Sequence, residues 1–117
     1  MILCIETSTD VCSVALCSEG KTLKSLEYFG APQHASRLAP MIRDLMSQAC
    51  LNYRDLDAVA VSQGPGSYTG LRIGASTAKG IAYASGIKLI AVPTLSIMAR
   101  AIFDADPDCR IACPMID

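Results

Sequence analysis

The chain has 117 residues, 51% of them hydrophobic, with a formal net charge of −1. That is one domain's length with ample apolar content for a core, and the near-neutral balance excludes the basic footprint of an autonomous nucleic-acid binder. No apolar run approaches the length of a membrane span, and no basic stretch precedes the apolar start, so neither membrane contact nor a secretory leader is expected.

Met1 to Ile5 reads as a short apolar strand, closed by the polar turn Glu6-Thr7-Ser8-Thr9-Asp10. Val11 to Cys17 alternates, with Cys12, Val14 and Leu16 on one face of a second strand. After the turn Ser18–Lys21, Thr22 to Tyr28 is a more polar third strand, whose Lys24 and Glu27 suit a sheet edge. Two tight turns joining three strands predict an antiparallel meander. Phe29 to Gln33 is loop, and His34 to Cys50 is predicted as a helix. Leu38, Met41, Ile42, Leu45 and Ala49 share one of its faces, and Ala35, Ala39, Met46 and Cys50 widen that face to about half the circumference. So wide an arc means either deep burial within the chain or a second partner on the flank. Pro40 falls on the polar side with Arg37, Arg43 and Asp44, and His34 reads as a surface or capping residue.

Ala58 to Val61 is an apolar, partly β-branched run and reads as a buried strand. Gly64, Pro65 and Gly66 end it, and Ser67 is placed to cap the helix that follows from Thr69 to Ser85. This glycine loop is neither a P-loop nor a dinucleotide fingerprint, because its spacing fits neither. Its free N–H groups suit an anion or the close approach of another backbone. In the helix, Gly70, Gly74, Ala78 and Ala82 recur every four residues, a row that lets another element come very near. Gly86 is its stop. Lys88 to Val92 is a strand, a helix runs from Thr94 to Phe103, Asp104 to Asp108 is loop, and Arg110 to Ile116 reads as the start of a further strand. The order β-β-β-α-β-α-β-α implies an α/β fold with a mixed five-stranded sheet and helices on both faces.

The six cysteines lack Cys-x-x-Cys spacing, and the chain has a single His. No zinc site or other metal is expected. Cys4, Cys12 and Cys50 read as small hydrophobes in a reducing, cytoplasmic compartment.

The segments Ile5-Glu6-Thr7-Ser8-Thr9-Asp10, Leu38-Ala39-Pro40-Met41-Ile42, Gly64 to Gly74 and Val92-Pro93-Thr94-Leu95-Ser96 resemble the bacterial TsaB (YeaZ) family, once labelled a glycoprotease. The resemblance runs in register over the whole chain. It implies one lobe of the actin-like/Hsp70, ribonuclease H-like ATPase fold. Family members have two lobes and about twice this length, so residues 1–117 correspond to the N-terminal lobe, with the second lobe missing from this chain. The implied role is in making N6-threonylcarbamoyladenosine at position 37 of tRNA. There the family's protein is a non-catalytic, cofactor-free scaffold that pairs with and activates the catalytic subunit TsaD. A third subunit, the ATPase TsaE, joins them, and tRNA is met only through the complex. The resemblance places the pairing on the two long helices. Leu38, Met41, Leu45, Ile73, Thr77, Gly80 and Tyr83 are the residues expected on their exposed side, and the same surface could form a homodimer.

The catalytic paralogue carries His-x-x-x-His where this chain reads Thr94-Leu95-Ser96-Ile97-Met98, and a hydroxyl with a thioether is a poor substitute for two imidazoles. Thr7, Ser8, Gly64, Gly66 and Ser67 form either a vestigial phosphate loop or a plain hydrogen-bonded turn. Glu6 and Asp10 flank that turn and oppose an anion. The alternative functions are a nucleotide-binding ATPase- or kinase-like lobe using this loop, and a metallopeptidase. A single His leaves the latter no His-pair metal site, and no Ser–His–Asp or Cys–His arrangement supports any other protease chemistry.

Overall fold

Alternating apolar residues build the sheet, and the computed structural model describes it through residues 1–30 and 33–116. The strands are β1 (Ile2–Glu6), β2 (Val11–Ser18), β3 (Lys21–Phe29), β4 (Ala58–Ser62) and β5 (Lys88–Val92). The helices are α1 (His34–Gln48), α2 (Tyr68–Ser85) and α3 (Thr94–Ala105), with a short 3-10 turn at Tyr53–Asp55. The sheet order is β3-β2-β1-β4-β5. β1 pairs antiparallel with β2 and β2 with β3, whereas β1–β4 and β4–β5 are parallel. The meander and the mixed sheet are therefore as the sequence implies.

Period-two side chains put Leu3, Ile5, Cys12, Val14, Leu16, Val59 and Val61 into one core. Helix α1 covers it with Leu38, Ile42, Leu45 and Met46, and α2 with Ala78. Each large apolar side chain buried this way contributes about 1.5–3 kcal/mol. On the opposite face of the sheet α3 stands off, and its Ile97 lines with Cys4, Ala15 and Ala60 a cavity of about 330 Å³. Helix α2 starts where Ser67 Oγ accepts the Gly70 N–H at 3.3 Å, and ends at Gly86 in the left-handed region.

Three expectations need correction. Helix α1 stops at Gln48, and Cys50 lies beyond it, exposed and with positive φ, so it extends no apolar face. Residues 110–116 form no strand and pair with neither edge of the sheet, β3 or β5. His34 is buried instead of lying on the surface. The expected loop positions Ala31 and Pro32, and Asp117 at the chain end, lie outside the described residues. All six cysteines are free. Burial, with Cys17 beside it, pushes the Cys4 thiol up to about 12, and burial also raises Cys12. Both stay protonated and act as small packing groups.

Candidate functional site

In an open α/β sheet, ligands gather at the carboxyl ends of the strands. Here the turn after β1, the loop from β4 to α2 and the start of α3 converge at that end. The Ser67 N–H donates to the Ser8 carbonyl at 2.7 Å, and the Thr94 N–H to the Gly64 carbonyl at 2.9 Å. Glu6 Oε1 accepts from the Ser8 N–H at 2.7 Å and from the Ser62 hydroxyl at 2.9 Å. His34 Nε2 donates to the Thr9 carbonyl at 2.7 Å, tying α1 to the same turn. With its acceptor a carbonyl, Nε2 carries a proton.

The glycines make this convergence possible. A Cβ on Gly66 would sit 2.5 Å from the Ser8 carbonyl oxygen. One on Gly70 would overlap the Thr7 carbonyl oxygen, and one on Gly74 the Thr7 hydroxyl. Of the two readings of the glycine loop, close approach of another backbone is thus realised by the chain's own turn. Thr7, Ser8, Gly64, Gly66 and Ser67 do come together, but Thr7 and Ser8 are buried at 0% and 2% exposure. The space left beside Thr9, Asp10, His34 and Ser67 is about 80 Å³, well under the few hundred Å³ of a typical ligand pocket. Among the described residues, Thr7 Oγ1, Ser8 Oγ, His34 Nδ1 and Thr94 Oγ1 are buried without a hydrogen-bond partner. Glu6, Ser62 and His34 are the members of this joint that sequence reasoning missed. The one local signal was Glu6 standing two residues before Ser8, within reach of its amide.

The residues expected on the exposed side of α1 and α2 divide. Leu38 and Leu45 are 1% and 0% exposed and belong to the core, because the wide arc of α1 lies over its own sheet. This corrects their expected exposure. Met41 is half-buried on the flank towards β3, one turn beyond Arg37, which stacks 4.7 Å over the Tyr28 ring. Ile73 and Thr77, both half-buried, line a furrow between the helices with Ala35, Thr69 and Ser76. Gly80 is exposed, with nothing within 4 Å of a Cβ built on it, and Tyr83 is 92% exposed. Those last four residues form one continuous outer surface of α2.

Among the described residues, no group of three His, Cys, Asp or Glu side chains stands close enough to hold a metal. The first turns of α3 offer buried Thr94 and half-buried Met98. That donor pair does not fit a hard or borderline metal, and no step is derived through one.

A family model described as TsaD, tRNA N6-adenosine threonylcarbamoyltransferase, matches residues 29–117. The tRNA threonylcarbamoyladenosine biosynthesis protein TsaB of Haemophilus influenzae is 37% identical over 88% of this chain and 43% of its own length. That of Escherichia coli is 36% identical over 94% and 47%. Among solved structures, YeaZ from Pseudomonas aeruginosa superposes with a TM-score of 0.84 at 36% identity, covering 94% of this chain and 55% of that one. Thermus thermophilus RuvC, at 13% identity and a TM-score of 0.56, shares the fold alone. The chain spans less than half the length of these two curated relatives. It belongs to the tRNA N6-adenosine threonylcarbamoyltransferase (TsaD) family, within its bacterial TsaB/YeaZ group.

Proposed function

We propose, proceeding from that membership, that the chain serves N6-threonylcarbamoyladenosine synthesis on tRNA as a non-catalytic lobe. It pairs with a TsaD-type catalytic subunit and activates it. The lobe is the N-terminal half of a two-lobed protein, a TsaE-type ATPase joins the pair, and tRNA is met through the complex. The observation that carries this reading is where space is left. The strand-end loops that would cradle a nucleotide are filled by the chain's own turn, while the outer surface at Ile73, Thr77, Gly80 and Tyr83 is open. Thr77 and Gly80 leave room for a partner helix to pack close, with Ile73 and Tyr83 as apolar contacts on either side, as in a four-helix contact.

Gly80→Arg tests the reading. An arginine there meets open space in the lone chain and fills the approach of any partner helix. The variant is expected to keep its thermal midpoint while losing at least about tenfold in affinity for the TsaD-type subunit, read by analytical ultracentrifugation. Its support of tRNA modification should fall in parallel. Undiminished complex formation would sink the proposal. Ultracentrifugation of the chain alone separates self-pairing through the same surface from pairing with the catalytic subunit.

A second reading, nucleotide binding, is favoured by the orphaned Thr7, Ser8 and His34 atoms. Calorimetry with ATP and magnesium decides it, since saturable heat lost in Ser67→Ala is expected only if the loop opens to a phosphate.

A further inference from the structure

The two edges of the sheet are protected very differently. β3 carries Lys21, Lys24 and Glu27, the charges that discourage edge-to-edge pairing. β5 reads Lys-Leu-Ile-Ala-Val, is exposed over its first four residues, and has one charge, Lys88. Lys88 faces Asp57, whose carboxyl is held below its usual value chiefly by the chain's amino terminus, with Lys88 adding to it.

The backbone direction of β5 follows from its bonds to β4. The Lys88 N–H donates to the Asp57 carbonyl, and the Val92 carbonyl accepts from the Gln63 N–H. Residues 88, 90 and 92 therefore turn towards β4. By alternation, the N–H and C=O groups of Leu89 and Ala91 point out of the sheet. The side chains of the same two residues floor a groove of about 350 Å³ against α2, walled by Leu71 and Ala75. Arg72 and Lys79 stand on this groove, no acidic residue lines it, and neither cation makes a salt bridge among the described residues.

We propose that the edge of β5, with this groove, takes up an extended strand of alternating acidic and apolar residues from a partner protein. Such a strand pairs with the outward amides of Leu89 and Ala91. Its acidic side chains fall on the α2 side, where their stems cover Leu71 and Ala75 and their carboxylates reach Arg72 and Lys79. Its apolar side chains extend the row begun by Ile90 on the other face. Charge complementarity selects this occupant. A second copy added across a two-fold axis would bring the same cations together, and an RNA strand would leave the edge amides and the apolar floor unused. The groove lies on the flank of α2 formed by residues 71, 75 and 79, turned away from Thr77 and Gly80 and meeting the pairing surface only at Tyr83, one turn beyond Lys79, and the peptide test reads the groove without the catalytic subunit. Arg72 borders both cavities, which makes Lys79 the discriminating residue.

The test uses fluorescence anisotropy on the whole chain. The probe is a fluorescein-labelled peptide of about ten residues alternating Glu and Val, long enough to span one strand. Saturable binding is expected at tens to hundreds of micromolar, an affinity of about 5–6 kcal/mol. It should fall at least about tenfold in Lys79→Glu, and disappear when alternate amides of the peptide are N-methylated. A Lys–Val peptide should not bind. The proposal is overturned by no saturation up to about 1 mM, by binding that survives N-methylation, by binding unchanged in Lys79→Glu, or by labelled oligouridine binding the same site more tightly than the peptide. The two peptide controls need no variant to fold.

Discussion

Helix α2 has two sides made of similar residues with opposite fates. Gly70, Gly74, Ala78 and Ala82 are buried, and the first two lie against Thr7 with no room for a methyl group. Gly80, two turns further on, has nothing within 4 Å of its missing Cβ. The inner glycines close a joint between the helix and the β1–β2 turn. The outer glycine closes nothing within this chain. A small residue is thus a packing device only when something occupies the space it vacates, and on the outer side that something must come from elsewhere.

Substitutions separate the two sides, and the largest effect belongs to Gly70→Ala. Its Cβ would overlap a backbone carbonyl that cannot rotate away, so a loss of about 3 kcal/mol or more is expected, at the upper end for overpacking. Urea unfolding monitored by circular dichroism measures it, and an unchanged midpoint would break the contrast. Gly74→Ala meets a side chain instead, the Thr7 hydroxyl, and should cost about 1–2 kcal/mol. Because that hydroxyl is buried and has no hydrogen-bond partner among the described residues, adding Thr7→Ala should restore most of the loss. A double-mutant cycle should show a coupling of about 1 kcal/mol. Independent, additive losses would mean that the two groups do not compete for the same space. The smallest effect is a gain. Gly80→Ala should raise the stability of the lone chain by about 0.5–1 kcal/mol, the usual advantage of alanine over glycine in a helix. A loss there would mean that the outer side is already occupied.

Much of the fold was legible in the residues because local rules and the tertiary outcome agree. Period-two patterning gave β1 and β2 and their inward faces, Ser67 and Gly86 marked the ends of α2, and the polar third strand became an edge. The fourfold row Gly70–Ala82 announced a close approach. The exposed side of the helices was legible only in part. The apolar arc of α1 suited a partner as well as a sheet, and the sheet claimed Leu38 and Leu45. The strand expected after α3 did not form either: residues 110–116 have the composition of a strand but pair with neither free edge of the sheet, so local composition alone could not place them.

The amino-acid order by itself determined β1 to β5, helices α1 to α3 and the caps of α2, since these depend on neighbours a few positions apart, though not the fate of residues 110–116. It also carried the family, through the glycine block and the turn after β1. Only the tertiary structure decided what each small or polar residue is for. Thr7 and Ser8 are far in sequence from Gly66 and Gly70, and their burial beneath those glycines turns a plausible anion loop into a sealed joint. The same holds for Gly80 and for the outward amides of β5. The use of a space depends on what the rest of the chain brings into it, and that is set by contacts between distant residues.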